Sequence, residues 1–203
     1  LSLFVNVVNW LHFVNLFFRA IQYLKLFGSN SKDGSLKVTK KYPSVQTWSE
    51  YLKKIFTNQK SRKALTTILL RKDTSTTKYQ RYIAPYGILN FYFPQRMLCL
   101  VDFGCGGNYG LRGFELGENF EKVKDKTPNG FFGRLIEKKL NLEKGFAFDK
   151  ENPDSLDATK WRIACSFYPK EFNQVSSVLG FEERLRKSRK VIFKKLDLTT
   201  TLS

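Results

Sequence analysis

The chain has 203 residues, enough for one domain with extensions, and 42% of them are hydrophobic, enough for a packed core rather than a disordered basic tail. Its 35 Lys and Arg against 18 Asp and Glu give a net charge of +17. Self-repulsion on that scale argues against an ordinary metabolic enzyme and implies a polyanionic partner, either nucleic acid or an anionic membrane surface.

Residues 1–27 are almost wholly apolar, and Ser2, Asn6, Asn9, His12, Asn15, Arg19, Gln22 and Lys25 recur every three or four positions. That spacing predicts a helix with a narrow polar stripe. Leu3 to Phe18 lacks formal charge but is short of the roughly 18 to 20 residues of a span, and Asn and His interrupt it. Burial in an assembly is therefore favoured over a membrane anchor. A targeting sequence would be rich in Arg and Ser, which this segment is not. Residues 28–43, with Gly28, Gly34, several Ser and Pro43, read as a linker.

The remainder, 44–203, reads as a single basic α+β domain: a small mixed fold with a central sheet, to which the N-terminal helix and basic extensions are attached. Thr47-Trp48-Ser49-Glu50 looks like a capping box opening a helix through Tyr51, Leu52, Ile55 and Phe56. Ser61 to Leu70 follows as a second helix or extended run, and 72–86 is polar with Tyr79, Tyr82 and Tyr86 interspersed. Ile88 to Phe93 and Leu98 to Phe103 read as paired strands about the Pro94-Gln95-Arg96 turn. Helices are expected at 114–124 and 131–140, and a strand at 161–168. Pro169 to Leu179 reads as a helix stopped by Gly180, and 191–198 as a last strand.

The most distinctive stretch is 97–113, an apolar run ending in Asp102 and followed by Gly104, Gly106, Gly107, Gly110 and Gly113. Glycines at this density let the chain take dihedrals closed to other residues, or let backbone approach a ligand or another segment closely. Val101-Asp102-Phe103-Gly104-Cys105-Gly106-Gly107 resembles the first motif of the Rossmann-like methyltransferases that use S-adenosylmethionine. The resemblance implies a cofactor loop with Asp102, Gly104 and Gly106 at the matching positions. The pattern departs at Asn108 and Tyr109, where related motifs carry Gly. An acid-ending second strand is expected about twenty residues on, where the sequence instead shows the polar turn 120–130. The competing reading of the stretch is a strand-to-turn packing site.

The charge is unevenly spread. Residues 37–96 hold 13 basic and 2 acidic residues, 97–160 hold 10 and 11, and 161–203 hold 9 and 4. Two basic blocks thus flank a balanced middle, and scattered cations add phosphate affinity without reading sequence. The candidate RNA-binding residues are Lys40, Lys41, Lys53, Lys54, Lys60, Arg62, Lys63, Arg71, Lys72, Lys78 and Arg81 in the first block. Those of the second, 184–195, are Arg184, Arg186, Lys187, Arg189, Lys190, Lys194 and Lys195. Tyr79, Tyr82 and Tyr86 are either stacking surfaces for bases or core residues. Gly107-Asn-Tyr-Gly110 and Gly130-Phe-Phe-Gly133 match the Gly-x-x-Gly of KH domains in letters only.

Cys99, Cys105 and Cys165 are odd in number and unpaired in spacing, and His12 is the sole His, so neither a disulfide framework nor a metal site is expected. His12 reads as a polar spot on a mostly buried helix. The abundance of Phe, Lys and Asn, with Met and His once each, resembles in style the divergent ribosomal proteins encoded by AT-rich mitochondrial genomes. The chain begins with Leu, which fits processing, truncation or a non-standard start codon. That likeness, the basic flanks and the lack of clustered catalytic residues imply a non-enzymatic structural constituent of a mitochondrial ribosome. Such a protein would lie in the matrix, bind ribosomal RNA and neighbouring ribosomal proteins, and need no cofactor. The alternative is a membrane-anchored accessory subunit of a respiratory complex, and the third reading is the S-adenosylmethionine-dependent methyltransferase.

Overall fold

The computed structural model describes residues 2–27, 45–73, 78–120, 127–166 and 174–197. The expected linker 28–43, with Lys40 and Lys41, lies outside them. The chain is mixed α+β with a small sheet and an N-terminal helix. It divides into two compact units, Leu1–Thr76 with Thr159–Val178, and Thr77–Ala158 with Leu179–Ser203.

The first unit is helical: α1 (Ser2–Phe27), α2 (Val45–Thr57), α3 (Gln59–Arg71) and most of α7 (Leu156–Ser166). Ala20 and Ile21 of α1 pack with Ile55 of α2 and Leu65 of α3. One turn earlier, Leu16 joins Trp161, Ala164 and Cys165 of α7. The Trp161 indole donates to the Asp73 carbonyl at 2.8 Å, so its one polar group is satisfied. Asn58 caps α3 by accepting from the Ser61 amide at 3.0 Å. Helix α2 begins at Val45, two residues before the expected capping Thr47. Burial on α1 is one-sided, since Trp10, Leu11, Phe13 and Phe18 remain exposed. Among the described residues no helix is long and apolar enough to cross a membrane.

In the second unit, a 3₁₀ turn (Tyr79–Tyr82) leads into α4 (Ile83–Tyr92), β1 (Met97–Phe103) and α5 (Tyr109–Leu116). A second such turn (Pro128–Gly130), α6 (Phe131–Glu137) and β2 (Asn141–Asp149) follow, and the end of α8 (Gln174–Leu185) precedes β3 (Val191–Lys195). The strands lie in the order β1-β2-β3, both pairs parallel. Leu142, Gly145 and Ala147 of β2 are buried beneath α5, whose Leu111 approaches Gly145.

Several expectations are corrected here. Residues 88–93 form no strand paired with β1, because 83–92 is helix. The helical spacing of Tyr86 and Asn90 brings both side chains to the Lys138 carbonyl, at 2.8 and 3.0 Å. Residues 161–166 are helical too. Ser155 Oγ caps α7 through the Ala158 amide at 3.1 Å, and Trp161 to Cys165, expected as a strand, is helix buried at every position, the charged Arg162 included. Helix α8 runs through Gly180 to Leu185 instead of stopping there. The strand expected over 191–198 is assigned only at 191–195, and the helix expected at 114–124 starts earlier and ends at Leu116.

Two of the five clustered glycines serve packing. A Cβ at Gly110 would sit 2.5 Å from the Tyr82 ring, and one at Gly113 would collide with the Tyr79 ring. Tyr79 in turn stacks on Phe120 at 4.6 Å and meets Phe114 and Phe181 edgewise or tilted. Gly113→Ala should lower stability to urea by roughly 2–3 kcal/mol through overpacking. Were that glycine present only for backbone freedom, alanine would stabilise α5 by up to about 1 kcal/mol. A Tyr79→Leu background should soften the loss, so an additive double mutant would contradict the packing role.

Candidate functional site

The glycine loop leaves β1 at the carboxyl end of the sheet. Gly104 and Gly106 take left-handed φ of 72° and 53°, and Asn108 follows at 55°. This is the conformation glycine favours and asparagine tolerates. The amides of Gly104 and Cys105 both donate to the Phe148 carbonyl of β2, at 2.9 and 3.1 Å. The Gly106 amide donates to Asp149 Oδ2 at 2.7 Å. Asp149 Oδ1 accepts from the Glu151 amide at 3.3 Å.

Two carboxylates therefore meet at one rim. Asp102 is paired in register with Ala147, and side chains alternate along a strand, so Asp102 and Asp149 lie on the same sheet face. Asp102 Oδ2 is buried without a hydrogen-bond partner among the described residues, as are both side-chain polar atoms of the fully buried Asn108. Burial raises the Asp102 pKa, the Arg81 guanidinium partly opposes this, and the Asp149 charge adds to it. Burial, with Asp149 and Asp102 beside it, pushes the Cys105 thiol up to about 12. Tyr82 is likewise pushed up to about 12, by burial and then by Asp102. Behind the loop, the Tyr109 hydroxyl donates to Glu182 at 2.6 Å, and Arg112 holds Asp154 through two bonds of 2.6 and 2.7 Å.

Of the residues singled out in the sequence, Asp102, Gly104 and Gly106 come together at this loop. Lys53, Lys54, Lys60, Arg62, Lys63 and Arg71 are exposed on α2 and α3, with Lys72 half-buried at the end of α3. In the second unit Lys78, Arg81, Arg184, Arg186, Lys187, Arg189, Lys190, Lys194 and Lys195 are exposed. Arg184 is paired with Glu118 at 2.9 Å and the Lys190 ammonium donates to the Leu142 carbonyl at 2.6 Å. The α8–β3 loop is held from beneath by Glu115, which accepts from the Ser188 hydroxyl and from the amides of Arg189 and Lys190 at 2.9 and 3.1 Å. The three tyrosines are core residues: Tyr79 and Tyr86 are buried and Tyr82 packs against them. They offer no open stacking face for bases. His12 is exposed rather than lodged on a buried surface, with Nε2 3.9 Å from the Asp73 carboxylate. All three cysteines are free thiols, Cys99 exposed and the other two buried. No group of residues suited to a metal ion occurs among the described residues.

Sequence reasoning missed Asp149, Asn108 and Glu115. The signal for Asp149 was present in Gly145-Phe-Ala-Phe-Asp149, a short alternating run ending in an acid. It lies 43 residues beyond Gly106 rather than the expected twenty or so. No protein-family model, curated protein or solved structure matches the chain.

The raised Asp102 pKa makes a pH prediction. A carboxyl whose folded pKa lies above its unfolded value, near 3.8, adds stability below that value and loses it as pH rises through the folded pKa. Asp102→Asn stays neutral. The urea midpoint of that variant relative to the parent should therefore climb as pH rises above about 3.8. A gap that narrows over this range would mean that the charged carboxylate is stabilised rather than penalised.

Proposed function

We propose that the second unit is the cofactor-binding part of a methyltransferase that uses S-adenosylmethionine. The observation that carries this reading is the bond from the Gly106 amide to Asp149, which brings the acid ending a parallel neighbouring strand to the glycine loop after β1. In open sheets of parallel strands, ligands bind beyond the carboxyl ends of the strands. The departure from the motif at Asn108 is also mild, because Asn108 holds the left-handed conformation that a glycine there would supply.

The donor set discriminates between cofactors. A phosphate-binding loop presents free amides, often beside a cation. Here the Gly106 amide is already taken by a carboxylate, and a second carboxylate stands beside it. That surrounding repels a dinucleotide or nucleoside triphosphate. It suits a nucleoside bearing hydroxyls and positive charge with no phosphate, as S-adenosylmethionine does. Asp149 would accept from ribose hydroxyls with its remaining lone pairs, Asp102 would offer its unpartnered oxygen, and Gly104 and Gly106 would admit the ligand close to the backbone. The cofactor supplies an activated methyl group. The three parallel strands leave the sheet smaller than in the family it resembles.

This makes the chain part of an enzyme, against the expectation drawn from its lack of clustered catalytic residues. A second reading, a structural RNA-binding constituent of the mitochondrial ribosome in the matrix, is favoured by one specific observation. The cations of α2, α3 and the α8–β3 loop stand exposed, and Glu115 fixes the backbone of that loop. The respiratory-subunit reading draws no such support from α1, since no helix among the described residues is long and apolar enough to cross a membrane.

Titration calorimetry with S-adenosylmethionine tests the first reading. The intact protein should bind it saturably, and Asp149→Ala and Asp102→Ala should each weaken binding at least tenfold. An intact protein that takes up no heat with this ligand would remove the proposal.

A further inference from the structure

The methyltransferase reading leaves open what receives the methyl group, and the cations at the carboxyl rim of the sheet bear on this. Arg81 is exposed on the 3₁₀ turn that crosses α5, its guanidinium 5.5 Å from the Tyr82 ring centroid and close enough to Asp102 to act on its charge. Lys195 ends β3, in register with Asp149, and its side chain is exposed on the sheet face that carries both carboxylates. The Leu196 amide donates to the Asp149 carbonyl at 2.8 Å, which fixes the end of β3 to this rim. Each carboxylate thus has an exposed cation near it, Arg81 by Asp102 and Lys195 in register with Asp149. The block Arg184 to Lys190 lies at the opposite, amino edge, because it precedes the first residue of a strand parallel to β2.

We infer that the substrate of this site is a single-stranded nucleic acid whose phosphates are held by Arg81 and Lys195 on either side of the acidic strand ends. The inference rests on the methyltransferase reading and names its substrate class. The charges have separate tasks in this arrangement. The acidic centre keeps phosphate out of the nucleoside seat, and the basic margin draws the sugar–phosphate chain across it. A single strand is favoured because a base within a duplex reaches a protein site only after being flipped out, which costs its stacking and pairing energy. The net charge of +17, concentrated outside the electrically balanced middle of the chain, supplies the long-range attraction that such a substrate needs.

The test is fluorescence anisotropy of a short labelled oligouridylate, and of its oligothymidylate counterpart, against the full chain over a range of salt. Arg81→Glu with Lys195→Glu should weaken binding at least tenfold and make the salt slope shallower by about 1.4, the share of two phosphate contacts on a single strand. Lys187→Glu with Arg189→Glu, an equal charge change at the opposite edge, should cost no more than about twofold. The neutral pair Arg81→Gln with Lys195→Gln should fall between parent and Glu pair, and it guards against misfolding of the reversed-charge variant. RNA and DNA bound alike would mean that phosphate alone is recognised, and RNA bound more tightly would add the ribose hydroxyl; both agree with the inference. A control pair that loses as much as the rim pair, or an intact protein that binds neither oligomer, would overturn it. Parallel titration of the intact protein with S-adenosylhomocysteine separates the two claims. Binding of that ligand without a rim effect sinks the inference alone, and no binding of it sinks the parent reading as well.

Discussion

The second unit depends on a helix face that has no side chains. Gly110 and Gly113 let the rings of Tyr82 and Tyr79 press directly on the backbone of α5, and no other residue fits at those distances. This contact joins the 3₁₀ turn to α5, while Leu111 on the next face packs over Gly145 of β2. Both ends of α5 follow from that placement. Its start carries the loop 104–108 to the carboxyl rim, where Asp149 accepts from Gly106. Near its end, Glu115 gathers the turn 188–190 and so fixes where β3 begins. One close-packed interface thus orders the loop and the third strand together.

The rim is chemically unusual for this protein. A chain with roughly twice as many basic as acidic residues places two carboxylates at the ends of adjacent strands and leaves one oxygen of Asp102 without a hydrogen-bond partner among the described residues. Burying an unpaired carboxylate is costly, which is why the Asp102 pKa rises. Tying the loop to β2 does not account for that cost, since the amides of Gly104, Cys105 and Gly106 already do so through Phe148 and Asp149. A bound ligand bearing hydroxyls or positive charge would account for it. Functional sites are where such shifts gather, because a group poised for a ligand is under-satisfied without it.

Much of the organisation was legible in the residues. The apolar run before Asp102 is β1, the polar stripe of 1–27 lies on α1, and the apolar spacing of Leu65, Ile68 and Leu69 is the inner face of α3. The failures share one cause, namely that tertiary partners and not local pattern decide the outcome. Ile88 to Phe93 has the composition of a strand, yet Tyr86 and Asn90 reach one carbonyl only from a helix. Trp161 to Cys165 is short and mostly apolar, a pattern that a buried strand and a buried helix share. Strand β2 was hidden by Glu143, Lys144 and Gly145, which break its apolar alternation. With β2 unseen, Asp149 had no strand to end, and the glycine loop lost the partner that gives it meaning. The tyrosines of 79–86 show the same limit from the other side. Their alternation with Lys78 and Arg81 suggested stacking platforms, whereas the two missing Cβ atoms of α5 draw them into the core.

The most direct measurement is the amide NMR spectrum of the loop during titration with S-adenosylhomocysteine and, separately, with ATP. The account predicts that the resonances of Gly104, Gly106 and Asn108 move saturably with S-adenosylhomocysteine, with Gly106 most affected because its amide is bonded to Asp149. ATP should leave them in place, since two carboxylates face its phosphates. Resonances that stay fixed with S-adenosylhomocysteine, or that move with ATP in its stead, would contradict a phosphate-free nucleoside site. The glycine loop would then be a packing device alone.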